Sequence, residues 1–240
     1  MFDFLFFRPL LNILVLISEY LVHGDFGFSV IALTVLVRIL LFPVFHKFLK
    51  SQQIMNKIQA EQKKIEAQYP KDKEKQLQAI MELYKANHIN PFASIFLTFI
   101  QIPVILALYK VIVAGLNGAA TQSLYSFVRP ITAVNYVFLG LINLKESNTI
   151  MLGLALGVQF LQGVMSAPGG LFGKTSPELQ NARKTAVNTS LMMVGLLALF
   201  FWNLPAAIGL YWMTSGLFSM IQQVIVNKVI AKDGELKANN

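Results

Sequence analysis

The 240-residue chain has no cysteine, so disulfides, thiolate metal sites, a cysteine nucleophile and a lipid-modified cysteine are all excluded. Charge is scarce too: Asp, Glu, Lys and Arg make up 13% of the residues, about half the share of an ordinary soluble domain. There is no GxSxG, no HExxH, no P-loop and no acidic pair within an apolar run, which removes the common hydrolase, metalloprotease and nucleotide-driven chemistries. The histidines at 23, 46 and 88 sit at or beyond the edges of apolar runs, too widely spaced for a metal. No enzymatic activity, cofactor or metal is therefore expected.

What the chain does have is hydrophobic length. Hydrophobic residues reach 55% and mean hydropathy is +0.57, the composition of a membrane protein. Five runs approach the roughly 20 residues that cross about 30 Å of hydrocarbon: 26–45, 92–114, 148–166, 186–202 and 205–227. Two shorter runs do not. The run 10–22 contains Glu19 and is expected to lie at the interface, and 131–144, with Asn135 and Asn143, is placed at the outer surface. Residues 2–7 are too few for a signal-peptide core and no small-residue cleavage site follows, so this segment is expected to be retained.

The net charge of +8 points to orientation signals and not to sequence-specific nucleic acid binding, because the lysines lie between the apolar runs. Lys47 to Lys85 fill one connection, Lys174, Arg183 and Lys184 another, and Lys228, Lys232 and Lys237 the tail. With five spans these share one side, which the positive-inside rule makes the cytoplasm, leaving the N-terminus outside. The expected fold is all-α: an extracytoplasmic interfacial helix over 1–25, a first span over 26–45, and a cytoplasmic helical hairpin over 46–91. Spans two to five follow within 92–228, with 115–147 extracytoplasmic and 167–185 cytoplasmic, then a tail over 229–240. In the hairpin, Ile54, Ile58 and Ile65 form one apolar stripe, Leu77, Ile80 and Tyr84 another, and Pro70 breaks the helix between them. The pairs Gly153/Gly157 and Gly195/Ala198 predict close helix packing.

The first span carries an arginine, Arg38, inside "VIALTVLVRILLFPVF". Counting 1.5 Å per residue from the end of that run puts it about 10 Å deep. An intramembrane charge needs a polar environment or a route to one, and snorkelling to the headgroups competes with function at that depth. The other runs weigh towards function. Thr34 shares Arg38's face; Thr98 and Gln101 follow helical spacing in the second run, Gln159 and Gln162 in the third, and Trp212, Ser215, Ser219 and Gln222 in the fifth. Nearly all fall in the cytoplasmic half, which fits a wet cavity open on one side. Polar lining through both leaflets, which a channel needs, is missing.

In order, "LTVLVRILLFP", a charged hairpin, "NPFASIFLTFIQIPVILALYK", "GVQFLQGVMS" and "LPAAIGLYWMTSGLFSMIQQ" make residues 25–228 resemble the YidC/Oxa/Alb family of membrane protein insertases. The resemblance implies a bacterial plasma-membrane protein with a hydrophilic groove, open to cytoplasm and lipid, that inserts nascent membrane proteins and assists their folding without nucleotide hydrolysis. It places the family's groove arginine on Arg38, the neighbouring threonine on Thr34 and an aromatic substrate contact on Trp212; the third-span glutamine falls on Gln162 or Gln159. Departures include Leu97 where many relatives have proline and Gly216 where an asparagine is usual. Implied partners are nascent membrane proteins, the translating ribosome, the Sec translocon and membrane lipids, with Lys71, Lys73, Lys75, Arg183, Lys184 and Lys228 as the basic contact positions. The competing reading is a small anion transporter or channel using Arg38 as its binding charge.

Overall fold

The computed structural model describes residues 1–88, 93–117, 123–130, 133–171 and 177–238; the side chains of 93–101, 178 and 230–238 lie outside the description. The chain is all-α. Its helices are α1 (Asp3–Leu21), α2 (Phe26–Leu40), α3 (Phe42–Gln68), α4 (Lys73–Ala86), α5 (Ala93–Asn117), α6 (Thr149–Ser166), α7 (Gln180–Phe201) and α8 (Ala206–Ala238). A two-stranded hairpin, β1 (Val137–Phe138) with β2 (Ile142–Asn143), stands between α5 and α6. By length and composition α1, α6 and α7 can each cross a membrane among the described residues, and α2 with α3 can do so as one broken span; α5 is apolar over Ile102–Asn117.

Two compact units divide the chain. The first comprises Met1–Leu41, Thr98–Gln159 and Met193–Phe218. Its core is built from stripes at helical spacing: Leu11 and Leu14 of α1, Phe26, Val30, Leu33 and Val37 of α2, Leu108, Val111 and Ile112 of α5, and Ala207 and Leu210 of α8. The α1 helix begins at Asp3, because π-helical turns over Asp3–Phe7 and Ile17–Leu21 extend it at both ends, and it reaches 19 residues where thirteen were expected. At that length α1 can cross a membrane as well as lie along its surface.

Residues 133–144 form no helix. Leu139 and Gly140, both at positive φ, turn the chain between the strands, and Phe138 and Leu144 bury in the core. The same segment is tied to the α1–α2 turn: Asn135 N–H donates to the Gly24 carbonyl at 2.9 Å and Phe26 N–H to the Asn135 carbonyl at 3.0 Å. Gly24 is at φ +86°, and a Cβ there would meet the Ala133 carbonyl oxygen at 2.6 Å, so the turn takes a residue without one.

The second unit comprises Phe42–Leu97, Phe160–Met192 and Ser219–Asn240. Helix α3 starts immediately after the break at Leu41. Pro43 explains the break: it lacks the N–H that would continue α2, and its ring suits the first turn of a new helix. Leu49 packs with Val226 of α8, and Asn56 Nδ2 donates to the Ser166 carbonyl at 2.9 Å. Pro70 lies in the short link before α4, where Asp72 caps the helix by accepting from Lys75 N–H at 3.0 Å. The α3 and α4 helices meet where Tyr84 donates to Gln62 Oε1 at 3.1 Å and Gln76 Nε2 to the Glu66 carbonyl at 3.2 Å.

The small-residue pairs do not pack as expected. A Cβ on Gly153, Gly157 or Gly195 would meet nothing within 4 Å, and none of α7's residues is buried, with Leu199 78% exposed. Such an apolar surface is the one lipid tails cover. Close approach occurs instead at Gly27, against the Phe138 ring, and at Gly163, against Ser190.

Candidate functional site

Helix α2 ends at Leu40, so Arg38 lies in its last turn, where the carbonyl ends of the helix favour a cation. This is closer to a helix end than the count from residue 45 implies. Its side chain is half-buried and reaches Ser215 of α8, itself only 5% exposed. Nε donates to Ser215 Oγ at 2.9 Å, and Nη2 donates to the same oxygen. The buried phenol of Tyr211 lies one turn earlier on α8, within electrostatic reach of the guanidinium. Ser215 thus ties a charge on α2 to α8 on the face that carries this phenol.

A second polar pair stands in the same unit. Trp212 Nε1 donates to Gln159 Oε1 of α6 at 2.8 Å, and its ring meets Phe201 edge-on at 4.9 Å. Of the two glutamines left open by the sequence, Gln159 is the one bonded to Trp212; Gln162 is half-buried further along α6. Tyr211 and Trp212 also line an apolar cavity of about 270 Å³ with Ile105, Leu106, Phe201 and Ile208 among its walls. Charge, hydroxyls and an indole therefore stand beside a space shaped for hydrocarbon.

Other candidates are spent elsewhere. Thr34 is buried and its hydroxyl donates to the Val30 carbonyl of its own helix at 2.6 Å. Gln222, 1% exposed, donates to the Phe42 carbonyl at 3.0 Å, bracing the start of α3. Ser219 is buried on α8. Thr98 and Gln101 lie in α5, but their side chains are outside the described residues. Among the basic positions, Lys71, Lys73, Lys75, Lys184 and Lys228 are exposed. Lys75 pairs with Asp72 at 3.2 Å and Lys73 donates to Gln76 at 3.1 Å. Arg183 is half-buried and donates to the Pro168 carbonyl at 3.0 Å, a loop-shaping bond.

Sequence reasoning passed over Tyr211, though it lies four residues before Ser215 and so shares its face. It also passed over Asn12, which is buried in α1. Asn12 Nδ2 donates to the carbonyls of Arg8 and Ser123, at 2.7 and 3.2 Å, and its Oδ1 accepts from Tyr125 N–H at 2.7 Å. Among the described residues no three His, Asp or Glu side chains converge. The site's chemistry is thus charge and hydrogen bonding beside apolar surface.

Residues 17–233 match the family model described as 60Kd inner membrane protein. The chain is 27% identical over 223 residues to the membrane protein insertase YidC of Pelobacter propionicus, a match spanning 93% of this chain and 38% of that protein. It is 30% identical over 213 residues to the same-named protein of Mesorhizobium japonicum, spanning 85% and 33%. A solved structure titled "Active YidC insertase crystal structure with the first transmembrane domain resolved" shares the fold with a TM-score of 0.59 at 21% identity, covering 94% of this chain and 46% of the other. The chain spans less than half the length of the curated relatives it matches.

Proposed function

Because the chain belongs to the 60Kd inner membrane protein family, that of the YidC insertases, we propose that it inserts nascent membrane proteins into the bacterial inner membrane. The observation that carries the reading is a half-buried arginine, held by Ser215 and flanked by Tyr211, in a chain otherwise built for lipid. A guanidinium in an apolar surround attracts the acidic residues that flank a substrate's hydrophobic segment, because weak screening lengthens the reach of its field. Ser215, beside Arg38, stands in for water along the polar segment's path. The apolar segment then moves into lipid, driven by burial of about 25 cal/mol per Å² of apolar surface. Trp212, fixed by Gln159, offers it a flat apolar contact. No step calls for nucleotide hydrolysis.

In this reading five spans place the N-terminus outside and the C-terminus in the cytoplasm, where the α3–α4 hairpin stands. The exposed Lys71, Lys73, Lys75, Lys184 and Lys228 supply docking charge for a translating ribosome or the Sec translocon, and Arg183 shapes the loop beside them. The test is protease protection of a single-span substrate with an acidic N-terminal tail, synthesised with liposomes containing only this protein. Protection is expected with the native chain and should fall about tenfold with Arg38→Ala, the equivalent of one charged hydrogen bond. Equal protection with both proteins would remove Arg38 from the mechanism.

A further inference from the structure

One lysine breaks the rule that the lysines lie between the apolar runs. Lys110 sits inside α5, seven residues before its end at Asn117, a rise of about 10 Å. An ammonium at that depth needs partners. Asp3 Oδ1 lies 3.3 Å away and the Phe2 ring 5.2 Å away. Yet the side chains of Lys110 and Asp3 stay 53% and 66% exposed, so the pair stands on the surface of its unit.

Beside it opens a cavity of about 470 Å³, whose walls include Asp3, Arg8, Tyr109, Lys110 and Ser123. Two cations against one carboxylate leave the pocket positive. A guanidinium fork, an ammonium and two hydroxyls match an anion with several oxygens, and arginine pairs with phosphate bidentately. Phe4 and Leu5, 70% and 54% exposed, extend apolar surface along the same helix. Anionic oxygens in the pocket with hydrocarbon alongside is the chemistry of a phospholipid; a free acidic peptide has no use for the apolar flank.

We propose that this pocket binds the phosphodiester headgroup of an anionic phospholipid, Arg8 and Lys110 taking its oxygens and Asp3 competing with it for Lys110. The site is separate from the Arg38 cluster and does not depend on the insertase reading. In the five-span topology it faces the outer leaflet.

The test is native mass spectrometry of the full chain in detergent, titrated with phosphatidylglycerol or with phosphatidylcholine of matched chains. One phosphatidylglycerol is expected to bind at least fivefold more tightly than phosphatidylcholine. Arg8→Gln with Lys110→Gln should abolish that preference, whereas Asp3→Asn should strengthen it, the opposite of what a purely structural ion pair predicts. Equal retention of the two lipids would overturn the proposal, as would weaker binding in Asp3→Asn. Displacement of bound lipid by millimolar inorganic phosphate, or by an acidic peptide, would assign the pocket to those ligands instead. If the double variant does not fold, the Asp3→Asn arm still decides.

Discussion

The bond between Arg38 and Ser215 can be measured in isolation. Ser215→Ala removes the oxygen that accepts from both Nε and Nη2 and so takes two hydrogen bonds from a half-buried charge. Hydrogen bonds to charged groups contribute roughly 1.5–3 kcal/mol, and losing one partner exposes the desolvation cost of the other. Arg38→Met keeps the apolar stem and deletes the charge, so the double variant closes a cycle in which the pair is lost only once. The interaction energy from that cycle should be at least about 1.5 kcal/mol. The assay is reversible unfolding in mixed micelles, followed by the fluorescence of Trp202 and Trp212. Insertion should fall in step: Ser215→Ala should slow substrates with acidic tails and spare those with neutral tails, because it loosens the aim of the guanidinium without removing it. Additive effects, with an interaction energy under about 0.5 kcal/mol, would show that Arg38 is held by something other than Ser215 and refute the arrangement.

Two further outcomes test the frame around that site. Gly27→Ala places a methyl group into the Phe138 ring and should cost roughly 1–3 kcal/mol as overpacking, with Phe138→Leu restoring thermal stability in detergent; a native melting temperature for Gly27→Ala alone would mean that the hairpin does not pack on α2. Asn12→Leu removes two donated bonds and one accepted bond, at about 1 kcal/mol each, so a loss near 3 kcal/mol and faster amide exchange at Tyr125 are expected, and unchanged exchange would contradict the clamp.

The sequence alone settled that this is an all-α membrane protein, because hydrophobic length and scarce charge leave a chain few ways to satisfy its backbone in lipid. It also singled out Arg38, because that cation lies deeper in its apolar run than Lys110 does in its own and shares a helix face with Thr34, and the ordered motifs around it carried the family. Ser215 and Trp212 were legible as members of a polar stripe at helical spacing, which is a local property of the chain.

Partners were not legible, because spacing along one helix says nothing about which neighbour it meets. Thr34 shares a face with Arg38 and Gln222 a stripe with Ser215, yet one bonds its own helix and the other braces Phe42. The resemblance put the third-span glutamine on Gln162 ahead of Gln159, and packing brought Trp212 to Gln159. Gly153 and Gly157 carry the pattern of close packing and meet nothing, while Gly27 carries no pattern and touches Phe138. Asn12 and Lys110 stood unremarked inside apolar runs, their importance resting on Ser123, Tyr125 and Asp3, each more than a hundred residues away in the chain. Composition and periodicity determine what each segment prefers as its solvent. Which side chains share a hydrogen bond depends on where distant segments come to rest, and only the tertiary structure decided that.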